Sequence, residues 1–161
     1  MRKINIEKIV LNIGCGANVN TEYAKTILES ITGSKAVITI AKKRSTFGVP
    51  KGKPIGCKVT IRKNANELLK RLLEAKENKL QESNFDDTGN FSFGVTEYID
   101  VPGMEYDPKI GILGFDVSVA LERPGYSVKK RKIGSKIGKK HLITREEAIE
   151  FVKKEFGVNI G

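Results

Sequence analysis

The sequence predicts an α+β fold: a mainly antiparallel sheet with helices packed on one of its faces. β-Branched segments outnumber amphipathic helical segments, and most follow one another through turns rather than through helical crossovers. One of these segments alternates polar and apolar residues, which indicates that the other sheet face stays free. At 161 residues the chain is long enough to bury a core, and we expect a single domain over residues 1–161.

The chain begins with a predicted strand and helix. Apolar residues at positions 4–13 predict a strand with one buried face, which ends at Gly14. Apolar residues at helical spacing then predict a helix over 21–31, with Asn20 as its N-cap and Gly33 as its stop.

A long hairpin follows this helix. The β-branched segments 36–40 and 55–61 predict its two strands. Their connection, residues 42–54, contains too much Gly, Pro and charge for helix or strand, so it predicts a long basic β-hairpin loop. Long irregular loops inside compact domains are uncommon and usually functional.

A second helix is predicted after the hairpin. Asn64 is expected to open it, because Glu67 stands three residues later in the capping-box position. The predicted buried stripe of this helix consists of Leu68, Leu69, Leu72, Leu73 and Leu80.

The remaining elements are strands, a basic segment and a closing helix. Strands are predicted from residue 90 and over 112–121, where apolar residues alternate with polar ones. Residues 123–131 predict a turn followed by a basic strand, which continues into a flexible basic tail. Thr144 and Glu147 form a capping box that starts the closing helix.

Positive charge is segregated along the chain. The net charge is +10 and the pI about 9.6, yet residues 35–63 and 123–145 contain many Lys and Arg and no Asp or Glu. The chain therefore combines a mildly acidic body with two basic windows, which is typical of nucleic-acid binding. A generally solubilising basic surface is the alternative, but it does not require the exclusion of acids.

Catalytic and metal-binding patterns are missing from the sequence. His141 lies among lysines, where contact with a phosphate or solvent is expected rather than base catalysis, and Cys15 and Cys57 lack metal-ligand spacing. We therefore predict no catalytic residue, no metal, no cofactor and no small-molecule substrate. No apolar run suits a membrane span, the N-terminus does not resemble a signal peptide, and reduced cysteines are expected in the cytoplasm.

One motif suggests an enzyme. Residues 10–16 resemble the strand and glycine turn of methyltransferases that use S-adenosylmethionine. However, Asn12 replaces the acidic residue, Asn18 replaces the third glycine, and the alternating βα units of that fold are not predicted. A methyltransferase thus remains a weak alternative, and a non-specific basic RNA chaperone is another.

The basic windows suggest how RNA is bound. The loop carries five cations that can contact several phosphates: Lys42, Lys43, Arg44, Lys51 and Lys53. Phe47 either stacks on a base or folds back on the hairpin. Lys58, Thr60 and Arg62 alternate along one strand, so they project from one face that suits an RNA backbone. The second window is either ordered by RNA or a solvated loop.

Several long blocks together resemble one family. KIVLNIGCG, KKRSTFGV, GKPIGCKVTIR, NFSFGVTEYIDVPGMEYDPKIGILGFDVSVALERPG and ITREEAIEF occur in order along nearly the whole chain. They are similar to the ribosomal protein L5 family, which binds 5S rRNA in the central protuberance of the large ribosomal subunit. The ERPGYSVKKRK segment and the short N-terminus resemble its archaeal form. Ser34 departs from the glutamine that is usual in the family, which puts a contact there in doubt.

The resemblance implies a structural ribosomal protein of the cytoplasm that is not an enzyme. The implied partners are 5S rRNA, neighbouring large-subunit rRNA, P-site tRNA and adjacent ribosomal proteins. One of these proteins belongs to the head of the small subunit, and residues 96–108 of this chain are expected to lie near it. The residues expected to contact 5S rRNA are Asn12, Lys35, Thr39, Lys58, Thr60 and Arg62. Those expected to contact tRNA or rRNA through the loop are Lys42, Lys43, Arg44, Ser45, Phe47, Lys51 and Lys53. Further rRNA contacts are expected from Arg123, Lys129, Lys130, Arg131 and Lys132.

Overall fold

A five-stranded sheet forms the centre of the protein. The structure, a computed structural model, describes residues 1–16, 20–44 and 48–161. The first elements along the chain are β1 (Asn5–Gly14), α1 (Thr21–Thr32), β2 (Val37–Ile40), β3 (Pro54–Ile61) and α2 (Ala65–Ala75). They are followed by β4 (Lys79–Leu80), β5 (Phe91–Val95), β6 (Phe115–Glu122), α3 (Ser127–Lys130), α4 (Arg145–Phe156) and β7 (Asn159–Ile160).

The sheet has the strand order β2-β3-β1-β6-β5, and each neighbouring pair is antiparallel. β4 and β7 form a separate parallel pair. The prediction of an α+β fold with a mainly antiparallel sheet is therefore confirmed. This arrangement also lacks the parallel βα units of a methyltransferase fold within the described residues, so Gly14 ends a strand of a different architecture.

One face of the sheet packs against the helices. Along the central strand β1, Ile9, Leu11 and Ile13 are buried, as are the alternate residues of β3, β6 and β5. The buried faces of the helices complete the same apolar cluster. The residues between these buried positions point to the other side, which we call the open face. It is formed by alternate residues of all five strands, and it lies opposite the face on which α1, α2 and α4 pack.

Two of the three predicted helix caps are confirmed. The Asn20 side chain accepts a hydrogen bond from the Glu22 backbone N–H at 3.0 Å, and Gly33 ends α1 in the left-handed region. Thr144 and Glu147 form the complete capping box of α4. Asn64 directly precedes α2, as predicted, but the capping box predicted there is wrong, because Asn64 has a φ of 54° and its side chain makes no cap hydrogen bond.

Three further expectations are corrected. Leu80 is buried but lies in β4, because α2 ends at Ala75 and its stripe contains only the first four predicted leucines. β6 begins at Phe115 rather than at residue 112. The basic strand predicted within 123–131 is instead the helical turn α3, which follows the turn at Pro124–Gly125.

The hairpin is present as the antiparallel pair β2–β3. Hydrogen bonds between Ala41 and both Lys53 and Gly52 extend the pairing beyond the strands, at 2.9 and 2.8 Å. Residues 45–47 lie outside the described part of the chain. The long basic loop as a whole therefore stays a prediction.

Candidate nucleic-acid interface

The alternation predicted for β3 places a polar line on the open face. Cys57, Val59 and Ile61 are buried against the helices, whereas Lys58 and Thr60 are exposed on the opposite side. Arg62, which directly follows β3, is also exposed. Lys58 and Thr60 thus lie at alternate positions of one strand, roughly 7 Å apart. Arg62 follows at the end of this strand, where it lines a cavity with residues of α2 and α4.

The strand register extends this line across the sheet. Lys58 pairs with Asn12 of β1, Asn12 pairs with Asp116 of β6, and Asp116 pairs with Gly94 of β5. All four positions are exposed. The register therefore brings the predicted RNA contact Asn12 next to the predicted contact Lys58, since neighbouring strands are about 4.8 Å apart.

Lys35 and Thr39 occupy less direct positions. Thr39 is half-buried in the edge strand β2 and pairs with Gly56, and its hydroxyl lies on the open-face side of that glycine. Lys35 is exposed but precedes β2, beside Glu29 and Gly33 at the end of α1. The structure therefore places Thr39 on the sheet margin and Lys35 beyond it.

The described part of the loop carries exposed cations on both sides of the hairpin. Lys42, Lys43 and Arg44 are exposed on the β2 side, and Lys51 and Lys53 are exposed on the β3 side. Ser45 and Phe47, which are also predicted contacts, lie outside the described residues. The two alternatives for the Phe47 side chain both remain open.

The second basic window folds back against the sheet through ion pairs. Lys130 of α3 contacts the carboxylates of Glu7 at 2.7 Å and Glu122 at 3.1 Å. Burial by itself would raise the pKa of Glu7, but the hydrogen bond and charge of Lys130 outweigh it and lower that pKa. Lys130, although exposed, is therefore paired with two carboxylates of the protein, and Lys129, Arg131 and Lys132 are exposed as well.

Arg123 differs from its predicted role. Its side chain is only 4% exposed, and its Nη2 lies 2.8 Å from the Oε2 of Glu147 in α4. Its Nη1 donates to the carbonyl oxygens of His141 and Leu142 at 3.4 Å. Arg123 is thus enclosed in the fold and is not a surface contact for rRNA.

Tyr126 and His141 close the same loop. The Tyr126 hydroxyl accepts from the Ile143 backbone N–H at 3.1 Å and donates to the His141 carbonyl at 3.2 Å. The His141 ring lies 3.0 Å from the Pro124 carbonyl oxygen and meets the Tyr126 ring edge-on. The two ends of residues 123–143 are therefore tied together. His141 contacts protein atoms, whereas the sequence predicted contact with a phosphate or solvent.

Sequence reasoning missed two residues of the open face. Asp116 stands directly opposite Asn12, and Lys8 lies along the same strand as Asn12 on the same side. The alternation of Asp116 with the buried Phe115 and Val117 was visible in the sequence. The pairing of β6 with β1 was not, because no local pattern specifies which strands become neighbours.

Other kinds of site are not supported in the parts of the chain that the structure describes. No group of three or more His, Cys, Asp or Glu side chains there is arranged to hold a metal ion. Cys15 and Cys57 are free and buried, and burial raises the pKa of both thiols. No helix in the described ranges has the length and apolar character required to cross a membrane.

Comparison with known proteins gives matches over nearly the whole chain. A family model described as ribosomal protein L5 matches residues 1–49, and a model for the C-terminus of the ribosomal L5 family matches residues 54–156. Large ribosomal subunit protein uL5 of Cenarchaeum symbiosum is 51% identical over 99% of this chain and 97% of the relative. The uL5 proteins of Nitrosopumilus maritimus and Methanococcus vannielii are 49% and 46% identical, over 99% of this chain and 95% and 92% of their own lengths.

Proposed function

The chain belongs to the ribosomal protein L5 family, of the archaeal type, and we propose that it binds 5S rRNA and adjacent large-subunit rRNA through the open face. Its relatives are proteins of the large ribosomal subunit, so it is a structural protein of that subunit, cytoplasmic and not an enzyme. What we propose beyond this is which RNA the protein binds and which of its residues contact that RNA.

The observation that carries the proposal is a series of exposed polar residues: Lys58 and Thr60 on the open face of β3, and Arg62 directly after that strand. An arginine guanidinium binds phosphate oxygens through two parallel hydrogen bonds, and a lysine adds a point charge. A threonine hydroxyl both donates to phosphate and accepts from the ribose 2′-hydroxyl. With Asn12 on the adjoining strand, these groups supply the mixed donors and acceptors that an RNA backbone and its base edges require.

The loop over residues 42–54 is proposed to contact P-site tRNA. Its described cations are exposed on both sides of the hairpin, and they suit a phosphate backbone that approaches the tip. These cations lie in the connection between β2 and β3, outside the strands that form the open face. One protein is therefore proposed to bind two RNAs with different groups of residues.

Residues 96–108 are proposed to face the small subunit. This segment exposes the carboxylates of Asp100, Glu105 and Asp107, and it is fixed by the Tyr98 hydroxyl, which accepts from the Asp107 N–H at 3.0 Å. Such an acidic surface suits a basic ribosomal protein, which is consistent with an intersubunit bridge to a small-subunit head protein.

We also propose that residues 1–161 act as one domain. The two matched family ranges contribute to one sheet: β1 and β2 come from residues 1–49, and β3, β5 and β6 come from residues 54–156. Because β3 lies between β1 and β2, neither range forms the observed sheet alone.

The first test compares 5S rRNA, a tRNA and a scrambled RNA of equal length in filter binding over a salt series. We expect the tightest binding to 5S rRNA, with the smallest loss as salt rises. The variant Thr60→Ala/Arg62→Ala should bind 5S rRNA about 2–4 kcal/mol more weakly, since it loses one neutral and one charge-assisted hydrogen bond. The control Thr26→Ala/Lys153→Ala removes an exposed hydroxyl and one cation from α1 and α4 instead.

The control should lose less than about 1 kcal/mol of binding free energy, because its residues lie on helices behind the sheet. Equal losses in both double variants would show that only net charge matters and would refute the open-face assignment. Equal binding of all three RNAs with parallel salt slopes would instead favour a non-specific RNA chaperone.

The loop is tested separately with Lys42→Ala/Lys43→Ala/Arg44→Ala. We expect this variant to retain the affinity of the isolated protein for 5S rRNA and to weaken tRNA occupancy on assembled ribosomes. A large loss of 5S rRNA affinity would assign the loop to 5S rRNA and contradict its proposed contact with tRNA.

A further inference from the structure

We propose that a notch in the open face binds one unpaired guanine base of the RNA, with Asp116 as the residue that selects it. The notch is a shallow cavity of about 410 Å³, and its lining comprises Asn12, Asp116, Thr96, Val95, Phe115 and the glycines Gly14, Gly94 and Gly114. The inference rests on the proposed binding of RNA to the open face and adds the base that is recognised.

The geometry places two polar side chains side by side, with three glycine positions around them. Asn12 and Asp116 are directly opposite in the β1–β6 register, which places their Cβ atoms about 5 Å apart. Gly94 stands opposite Asp116 on β5, and a Cβ built there would lie 3.6 Å from Asp116 Oδ1. Within residues 1–16, 20–44 and 48–161, no hydrogen bond or salt bridge engages the Asp116 carboxylate.

A carboxylate on an RNA-binding face needs a donor as its partner, because phosphates repel it. An ionised carboxylate accepts two parallel hydrogen bonds, and two neighbouring donors suit it best. On its Watson–Crick edge, guanine presents N1–H beside the N2 amino group. Adenine and cytosine place a ring acceptor beside their amino group, and uracil flanks its N3–H with two carbonyls, so each sets an acceptor against the carboxylate.

Asn12 fits the remaining atom of the same edge. Next to N1–H, guanine carries the O6 acceptor, and the Asn12 amide supplies an N–H donor beside Asp116. Lys58, which pairs with Asn12 from the other side, offers a cation for a phosphate of the same strand. Because the Watson–Crick edge is free only in unpaired nucleotides, the ligand is a guanine in a loop or bulge.

The direction in which one substitution changes the RNA affinity distinguishes base recognition from general electrostatics. Asp116→Asn removes a negative charge from an RNA-binding surface, so electrostatics alone predicts equal or tighter binding. Loss of a bidentate base contact predicts about 5- to 150-fold weaker binding to 5S rRNA. Glu74→Gln removes the same charge from an exposed position on α2, and it should leave the affinity unchanged or slightly higher.

A second variant blocks the notch and keeps the charge. A Cβ at Gly14 would meet no atom within 4 Å, and Gly14 is not in the left-handed region, so Gly14→Ala is compatible with the fold. Its methyl group would enter the notch. We expect it to weaken 5S rRNA binding together with Asp116→Asn, while thermal melting shows that both variants remain folded.

The base is identified with six-nucleotide RNAs in fluorescence anisotropy. We expect the parent protein to prefer UUGUUU over UUAUUU and over the inosine analogue UUIUUU, which lacks the N2 amino group, and Asp116→Asn to lose that preference. Absence of a guanine preference in the parent overturns the proposal, as does Asp116→Asn binding 5S rRNA as tightly as Glu74→Gln. If 5S rRNA is not preferred over scrambled RNA, the proposed function fails, while the six-nucleotide comparison still decides on the notch.

Discussion

Replacing Arg123 with alanine should destabilise the fold by about 3 kcal/mol, although this residue belongs to a basic window that otherwise suits RNA. The guanidinium is buried and makes one charge-assisted contact with Glu147 and two long hydrogen bonds to backbone carbonyls. The short bond to Glu147 contributes about 1.5–3 kcal/mol, and each of the two long bonds to carbonyls contributes about 0.5 kcal/mol because of its length.

Two features keep the expected loss near this value. The Glu147 side chain is 43% exposed, so solvent weakens the ion pair, and the buried Arg123 Nε has no partner among the described residues. For a chain of this length, about 3 kcal/mol corresponds to a fall in Tm of about 6–12 °C.

Urea unfolding of the parent and of Arg123→Ala measures this loss directly. Arg131→Ala is the matched control, because Arg131 is an exposed arginine of the same segment and its removal should change stability by less than about 0.5 kcal/mol. At a temperature where both are folded, Arg131→Ala should weaken rRNA binding and Arg123→Ala should not. A loss below about 1 kcal/mol for Arg123→Ala would refute the view that it ties the basic segment to α4.

A charge-neutral change in Glu147 isolates the ion pair. Glutamine also serves at the third position of a capping box, so Glu147→Gln keeps the cap and removes the charge. We expect Glu147→Gln to lower the free energy of unfolding by about 1 kcal/mol. In the Arg123→Ala background the same change should lower it little further.

The ion pair between Arg123 and Glu147 also predicts that the stability of the fold falls at acidic pH. The Thr144 backbone N–H, and then Arg123, lower the pKa of Glu147 in the folded protein. Its contribution is therefore present above the pKa of an unfolded glutamate, about 4.3, and is lost as pH falls through the lowered folded value. Glu147→Gln should show less acid destabilisation than the parent, and identical acid transitions would contradict this assignment.

Three further predictions concern other parts of the fold. Tyr126→Phe should cost about 2 kcal/mol in urea unfolding, because it leaves the Ile143 N–H without its acceptor; an unchanged midpoint would contradict this. Hydrogen bonds to Glu7 and Glu122 raise the pKa of Lys130, and we expect these contacts to contribute at most about 1 kcal/mol to stability. This contribution should be present below the pKa of an unfolded lysine, about 10.4, and should be lost as pH rises through the raised pKa of the folded protein. Lys130→Ala should remove that alkaline dependence, and a parent-like profile would argue against the contact. Because Cys15 and Cys57 are buried with raised thiol pKa values, both should react slowly with a disulfide reagent until the protein is unfolded, and rapid labelling of the native protein would contradict their burial.

Local patterns in the sequence predicted what depends on neighbouring residues. The alternation around Lys58, Thr60 and Arg62 specified the two faces of β3, because side chains in a strand alternate whatever the partner strand is. The caps at Asn20 and Thr144 were predictable for the same reason, since a cap forms within one helical turn. The cap at Asn64 failed because its backbone is left-handed, a conformation imposed where the chain leaves β3 and enters α2.

Long-range contacts decided the rest. Arg123 lies in a basic window whose composition suits an RNA contact, and only the approach of α4 buries it against Glu147. Asp116 has the pattern of any exposed strand residue, and only the pairing of β6 with β1 places it beside Asn12 to form the notch. The sequence by itself therefore determined which residues are charged, apolar or turn-forming and which side of a strand they occupy. Which of them meet was decided by the tertiary structure, because strand order and helix packing depend on burying the whole apolar surface at once.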